Sequence, residues 1–336
     1  VHLVHCNQQF SGKKWIVLCA GGSGWINYPF QASIYHAYHM FIDHGIPKEN
    51  IIVMHYDDLA HNKLNPTPGV IVNQINGSDV YNGVPKDYVK DMVTPEVEFG
   101  GNNFLGVLRG DPKLKATGSK VVESGPNDHI FVFFMDHGFV SFPNGKLFSE
   151  DLINTLKEMH QNNRYAKLLF YLEACHSASM FGGLPTDINV YAVSSSRAIE
   201  LSYACCFDDY RKAYVGGFFS NNWYANSEAN DFNVETVDEQ YKYISERYIV
   251  PDQTNIPKNM TEHATHYGDL SIGQLYLSEF FGTKTPPKVF VNNKNDLPDN
   301  CDFVNTRDIG IHLLHKNIES TDNISEKLRI HIFWEK

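Results

Sequence analysis

Short apolar runs that carry almost no polar residue recur along the chain and constrain its fold more than any other feature. A strand that is apolar on both sides has to be covered on both sides, which is typical of a parallel sheet between two helical layers. Segments with helical spacing of apolar residues lie between the runs, as in repeated βαβ units. The sequence therefore predicts an α/β three-layer sandwich with a mostly parallel central sheet and helices on both faces. The apolar runs are 15–20, 51–55, 129–135, 167–172 and 189–194.

Three segments between or after these runs have the periodicity of helices: 28–43, 149–161 and 234–247. The second begins with Ser149-Glu150-Asp151, which predicts a side-chain cap followed by acidic residues in the first turn. Segment 61–127 is rich in Asn, Pro, Gly and Asp, and we interpret it as a long excursion within the same domain.

Charge and composition exclude several classes of function. The chain has 28 basic and 39 acidic residues, a formal net charge of −11, and no basic run that could follow a phosphate backbone, so a nucleic-acid partner is not expected. No apolar stretch is long enough to predict a membrane span. The six cysteines lack the paired spacing of a metal site, so no metal is expected. The sequons at Asn76, Asn259 and Asn323 predict glycosylation, which suits a secretory protein.

Two of the apolar runs end in residues that can do chemistry. Run 129–135 is followed by Asp136-His137-Gly138, and run 167–172 by Glu173-Ala174-Cys175. Ligands of open parallel sheets bind beyond the carboxyl ends of the strands, so a histidine and a cysteine there would face one crevice. A thiol that attacks and an imidazole that protonates the leaving amine are the groups that thiol acyl transfer needs. The sequence therefore predicts a cysteine nucleophile with a histidine partner.

Each of these residues also has a structural interpretation. A lone histidine can simply cap a turn, and a cysteine is often a core thiol, but the polar residues around Cys175 argue against full burial. His176 follows the thiol directly and would point to the opposite face, so it is placed in the substrate pocket rather than as the base. Glu173 shares the face of Cys175 if the strand continues, and it either orders the histidine or a substrate group in the pocket or lies in water.

Two further motifs, a glycine-rich segment and a pair of adjacent cysteines, have structural interpretations. The glycine-rich segment 21–24 precedes a helix, but it lacks the spacing of a dinucleotide-binding or P-loop motif, so we interpret it as a turn that presents Asn27. Cys205-Cys206 is a vicinal pair, and because strained vicinal disulfides are rare we interpret both as ordinary packed thiols.

Taken in order, the motifs resemble the legumain (asparaginyl endopeptidase) family, which is related to the caspases, from about residue 13 to residue 281. The resemblance is carried by 14–17, Gly24-Trp25-Ile26-Asn27-Tyr28, 53–58, 65–69, 83–88, 107–111, Asp136-His137-Gly138, Glu173-Ala174-Cys175 and Ser202-Tyr203-Ala204-Cys205. It implies a caspase-like fold and a cysteine endopeptidase. It also implies peptide and protein substrates, inhibitors of the cystatin type, no cofactor, and a lysosomal, endosomal or secreted location.

The resemblance also assigns roles to individual residues. It implies Cys175 as the nucleophile, His137 as the acid and base, and Asn27 as the residue that orients the histidine. The backbone N–H groups of Gly138 and Cys175 would form the oxyanion site. Asp136 matches a position that can form a succinimide in the family.

The chain departs from the family at the pocket for the residue whose carbonyl is attacked, here called P1. The family recognises a P1 asparagine with an Arg and two acidic residues, and the matching positions here are Pro29, His176 and Gly217. With Phe30 beside them and only Ser202 retained, the pocket is expected to be wider and less polar. A pocket without the matched charges no longer selects a carboxamide, so asparagine specificity is not expected.

The C-terminal part differs from the rest in composition and in the spacing of its apolar residues. A breaker cluster begins at 283, and the apolar spacing from 309 onward predicts one or two amphipathic helices that need a surface. We therefore divide the chain into a peptidase domain, 1–282, and a linker with a partial propeptide-like helical tail, 283–336. Besides an endopeptidase that can also act as a transpeptidase, two alternatives stay open: a binding or decoy protein without turnover, and a lipid-anchor transamidase, which would usually bring a membrane segment.

Overall fold

The structure is a computed structural model that describes residues 10–94, 104–138, 141–142, 145–247, 261–284 and 302–320. Its strands are β1 (Lys14–Ala20), β2 (Ile51–His55), β3 (Tyr88–Val89), β4 (His129–Gly138), β5 (Ser141–Phe142), β6 (Gly145–Lys146), β7 (Lys167–Cys175), β8 (Val190–Ser194), β9 (Tyr203–Asp208), β10 (Ala213–Gly217), β11 (Thr265–Gly268) and β12 (Phe303–Asn305). Its α-helices are α1 (Tyr28–Asp43), α2 (Phe104–Arg109), α3 (Pro112–Ala116), α4 (Ser149–Gln161), α5 (Phe218–Ala229), α6 (Val237–Ser245), α7 (Ser278–Phe281) and α8 (Ile309–Ser320).

The central sheet has seven strands in the order β11-β8-β7-β4-β1-β2-β3. Only β11 runs antiparallel to its neighbour, and the other pairs are parallel. The predicted mostly parallel sheet is confirmed. Strands β4 and β7 lie side by side near the middle, so their carboxyl ends meet at one edge of the sheet.

Alternating residues of the central strands supply two separate cores. On β1, Ile16 and Leu18 pack towards α1, α5, α6 and α7, whereas Val17 and Cys19 pack towards α2, α3 and α4. Burying a side chain of this size contributes about 1.5–3 kcal/mol relative to leaving it exposed. Because side chains on both faces of the sheet are buried, the strands carry uninterrupted apolar runs. Helices cover both faces for the same reason.

The predicted helices are present, with two local differences. Helix α1 and helix α4 have the predicted bounds, but the hydroxyl of Ser149 donates to Met180 O at 3.0 Å instead of capping α4. Helix α6 begins three residues later than predicted because Thr236 and Glu239 form a reciprocal capping box that fixes its first turn at Val237.

A second, smaller sheet has the order β10-β9-β12 and is antiparallel. Strand β12 comes from the predicted tail, and α8 follows it. Val304, Ile309 and Leu313 bury their side chains against residues of β9 and β10. The amphipathic helix predicted after 309 thus has its surface, while the apolar residues from 324 onward lie outside the described residues. The proposed division at 282 stays a prediction.

No helix in the described ranges is both long and apolar enough to cross a membrane.

Candidate active site

The two predicted chemical residues lie at the adjoining ends of β4 and β7. Both strands continue three residues past their predicted ends, and Gly138 is paired with Cys175 across a register shift after Met135. Gly138 has φ of 119°, and a Cβ on it would come within 2.7 Å of Cys175 O and 2.9 Å of Cys175 Cβ. Only glycine, which has no Cβ, allows the two backbones to come this close. His137 is therefore the residue directly before the point where β4 contacts Cys175.

The thiol of Cys175 is enclosed rather than open. Its Sγ lies 3.1 Å from Thr306 Oγ1 and 3.5 Å from Asn305 Oδ1, and it accepts a hydrogen bond from the Ser202 N–H at 3.2 Å. The side chain is 1% exposed, so the expectation of partial exposure is wrong for this state. The reason is that β12 and the turn after it cover the thiol. Burial raises the pKa of Cys175, and hydrogen bonds from Ser202 and Thr306 oppose that shift.

His137 is partly enclosed and, like the thiol, it contacts Thr306. Its ring meets Phe30 edge to face with centroids 4.8 Å apart, and its Nδ1 is buried without a hydrogen-bond partner. Burial lowers the pKa of His137 to about 4, with a hydrogen bond to the Thr306 backbone opposing and the charge of Arg307 adding to the shift.

Asn27 lies at the junction of the glycine-rich turn and α1. Its Nδ2 donates to Ser23 O at 2.7 Å, while its Oδ1 is buried without a partner. The predicted orienting hydrogen bond between Asn27 and His137 is therefore not formed in this state, although each residue presents an unsatisfied buried atom. The orienting role stays a prediction.

Glu173 is buried beneath the strand ends. Since β7 continues to Cys175, the two side chains share a face, and Glu173 is 1% exposed rather than in water. One carboxyl oxygen accepts the Ser220 N–H at 3.1 Å and Oε1 has no partner. Burial raises the pKa of Glu173 to about 8. The carboxyl is thus protonated at acidic and neutral pH.

The glycine at 217 does not open a wider space, contrary to expectation. A Cβ on Gly217 would overlap Glu173 Oε1 and come within 2.6 Å of Met135 Cε, so the Glu173 carboxyl occupies the volume that a side chain at 217 would need. Pro29 and Phe30 are both buried in the first turn of α1. Position 29 and position 217 carry no charged side chain, as expected for this pocket, but the Glu173 carboxyl lies next to Gly217.

A second buried carboxyl, missed from the sequence, supports the loop beside the thiol. Glu262 accepts a hydrogen bond from the Ser202 hydroxyl at 2.8 Å and another from the Tyr203 N–H at 3.0 Å. It is 1% exposed, and burial raises its pKa well above the ordinary value, with the nearby Glu173 adding to the shift. Glu262 lies in no motif or periodic segment, so only the contact with Ser202 reveals it.

The other predicted positions are dispersed around this centre. His176 follows β7 with φ of 60°, its Nδ1 lies 3.0 Å from Ala198 O, and its pocket role is untested. Asp136 is buried and accepts the His137 N–H at 2.6 Å, which does not test succinimide formation. Asn76 is exposed, as glycosylation requires, whereas Asn259 and Asn323 lie outside the described residues.

The vicinal cysteines differ from each other. Cys205 is a buried thiol, as predicted, but Cys206 is disulfide-bonded, so its interpretation as a packed thiol is wrong. Cys19 and Cys175 are also free, and the bond from Cys206 therefore leads outside the described residues. Among the described residues, no group of three or more His, Cys, Asp or Glu side chains is arranged to hold a metal ion.

Comparison with known proteins assigns the chain to a family. The model of the peptidase C13 family matches residues 14–283. Legumain from Rattus norvegicus is 42% identical over 97% of this chain and 72% of the relative. Legumain from Homo sapiens is 40% identical over 95% of this chain and 70% of the relative. Hemoglobinase from Schistosoma japonicum is 40% identical over 97% of this chain and 74% of the relative.

The chain also aligns with the crystal structure of caspase-1 from Spodoptera frugiperda at a TM-score of 0.42 and 9% identity, covering 83% of this chain and 94% of that one. The family model spans both strand ends that carry His137 and Cys175, and the similarity to the legumains extends over most of the chain. The chain belongs to the peptidase C13 family and is a cysteine endopeptidase.

Proposed function

We propose that Cys175 is the nucleophile of this peptidase and that His137 is its acid and base. The observation that carries the proposal is the pairing of Gly138 with Cys175 at the ends of β4 and β7, which sets the imidazole and the thiol at one edge of the sheet. Sγ attacks the peptide carbonyl, and its proton passes to His137. The backbone N–H groups of Gly138 and Cys175 stabilise the negative charge that develops on the carbonyl oxygen.

The tetrahedral intermediate then breaks its C–N bond. His137 protonates the departing amine, which leaves an acyl group on Cys175 as a thioester. Water, deprotonated by His137, attacks the thioester and releases the acid and the thiol. A peptide amine in place of water forms a new peptide bond, so the same intermediate supports transpeptidation. In this scheme Asn27 turns towards the unsatisfied Nδ1 of His137 once the site is occupied by substrate.

The tail is proposed to hold the enzyme in a latent state. Asn305 and Thr306 lie against the thiol, and Asn305 Oδ1 accepts the Arg307 N–H at 3.0 Å, so the backbone turns at that point. In the covered site the pKa of Cys175 is raised and that of His137 is lowered, so neither group is charged at pH 5. A neutral thiol is a weak nucleophile. Removing the tail readmits water and reverses both shifts.

The P1 pocket is proposed to differ from that of the relatives. Pro29, His176 and Gly217 stand where the resemblance expects charged residues, and the protonated Glu173 carboxyl adds no charge at acidic pH. We therefore expect uncharged P1 residues to be accepted broadly, with no specific selection of asparagine. An acidic endosomal, lysosomal or secreted setting fits this protonation state, and inhibition by cystatin-type proteins belongs to the same proposal.

A labelling experiment separates a working peptidase from a binding or decoy protein. After limited proteolysis has removed the tail, the chain is incubated at about pH 5 with a thiol-reactive peptide probe, alongside the Cys175→Ala variant treated in the same way. Labelling and peptide cleavage by the wild type, both lost in the variant, support the proposal. An unlabelled wild type with no cleavage would favour the decoy interpretation.

A peptide library of mixed sequence, digested between about pH 4 and pH 7 and read by mass spectrometry, tests the pocket. A narrow preference for asparagine at P1 contradicts the proposed pocket.

A further inference from the structure

Phe303 of β12 lies in an aromatic pocket beside the candidate active site. Its ring meets Phe218 edge to face with centroids 5.7 Å apart. Tyr203 and Phe218 form a buried apolar cluster, and Leu201 and Phe303 pack against it. Phe218 is the first residue of α5 and Tyr203 the first of β9, so two fixed elements form the walls.

The register of β12 relates this pocket to the thiol. Phe303 is opposite Cys205, Val304 opposite Ala204 and Asn305 opposite Tyr203. Side chains alternate along a strand, so Phe303 and Asn305 share a face. Asn305 reaches the Cys175 sulfur, whereas Val304 packs on the other face among Ala204, Phe207 and Tyr214. The residue in the aromatic pocket, Phe303, therefore comes two positions before Asn305, the residue that contacts the thiol.

A peptide substrate that joins the edge of β9 in the same register would have its P1 residue where Asn305 lies. The residue two positions before P1 would then occupy the aromatic pocket, where Phe303 lies. Addition of a strand to an exposed sheet edge fixes the peptide by backbone hydrogen bonds and leaves alternate side chains to confer specificity. The substrate residue between these two positions, which corresponds to Val304, points away from the thiol. Register thus makes the third residue before the cut, here called P3, a second residue besides P1 whose side chain the enzyme can select.

We propose that Leu201, Tyr203 and Phe218 form a pocket that selects peptides with an aromatic residue at P3. This inference rests on the peptidase function and on strand-like substrate binding proposed above. Phe303 of the tail occupies the pocket as such a residue would. Edge-to-face ring contacts add to the burial of apolar area, so an aromatic side chain gains more than an aliphatic one of similar size.

Kinetics on the chain with its tail in place test the selection. The Phe303→Ala variant weakens the hold of the tail, and its kcat/KM is measured with two peptides that differ only in Phe or Ala at P3. The Phe peptide should be cleaved about tenfold faster, as expected from partial burial of one ring. Adding Leu201→Ser, a change at a partly buried position, should bring the ratio close to one. Adding Tyr210→Ala, which removes an exposed aromatic residue elsewhere, should leave it unchanged.

The outcomes separate this inference from the proposed function. Equal cleavage of the two peptides overturns the P3 pocket and leaves the peptidase proposal intact. If neither peptide is cleaved, the proposed function fails, and alkylation of Cys175 still tests the pocket.

Iodoacetamide should modify Cys175 about tenfold faster in Phe303→Ala than in the wild type, because the covering strand loses its anchor. The conservative Phe303→Leu should lie between them. Equal alkylation rates for wild type and Phe303→Ala would show that the pocket does not hold the strand.

Discussion

Replacing Glu173 with Gln should lessen the dependence of stability on pH. The Glu173 carboxyl is buried, accepts one backbone N–H, and has one oxygen without a partner. The pKa of Glu173 is about 8 in the folded chain, above its ordinary value of 4.5. The folded chain therefore keeps a proton that the unfolded chain releases. The resulting contribution to stability is complete below about pH 4.5 and is lost as the pH rises towards 8.

The size of the effect follows from these pKa values. One pH unit between folded and unfolded pKa corresponds to about 1.4 kcal/mol, so the difference between 4.5 and about 8 corresponds to about 5 kcal/mol at full ionisation. Between pH 5 and pH 7.5 the loss amounts to about 3 kcal/mol. Because native domains are stable by about 5–15 kcal/mol, this single carboxyl has a measurable effect on the folded population near neutrality.

Urea denaturation at pH 5 and pH 7.5, in a Cys175→Ala background that prevents self-digestion, measures the effect. The chain with Glu173 should lose about 3 kcal/mol more unfolding free energy over this range than the chain with Gln. Glu262, whose pKa is also raised by burial, contributes to both chains, and its contribution is smaller in the chain with Gln because the charge of Glu173 adds to its shift. An equal loss in both chains would refute the argument that Glu173 is protonated in the folded state.

Two shorter predictions concern the same region. Gly217→Ala should lower the unfolding free energy by about 2 kcal/mol, because its Cβ overlaps a buried carboxyl, whereas Gly182→Ala, which meets no atom within 4 Å, should change it little; equal effects in urea denaturation would contradict this. Peptide mapping without reduction should recover Cys206 in a disulfide cross-link, and recovery of Cys206 as a thiol would exclude the disulfide.

The sheet and the strand-end residues were predictable because their signals are local. Strands β4 and β7 are apolar on both faces, and the polar residues that end them mark the edge where the chemistry lies. The direct contact of Gly138 with Cys175 extends this reasoning, since the two strands proved to be neighbours in the sheet. For these elements, burial on both sides leaves a pattern that periodicity alone can detect.

The cover over the thiol was not predictable at this level. Strand β12 has three residues and no periodic signal, and Asn305 contacts Cys175 from 130 positions away. Glu262 likewise reaches Ser202 across 60 positions, through hydrogen bonds that no sequence pattern encodes. The expected exposure of Cys175 failed for the same reason, because burial there depends on a distant segment rather than on the neighbours of the cysteine.

The position of β12 also bears on how a chain from which the tail has been removed behaves in solution. Strand β9 has β10 on one side and β12 on the other, so departure of the tail leaves one row of backbone N–H and C=O groups unpaired. Such rows pair readily with strands of other molecules and promote aggregation. The activated enzyme should consequently self-associate at high concentration, and a peptide inhibitor bound along β9 should keep it dispersed.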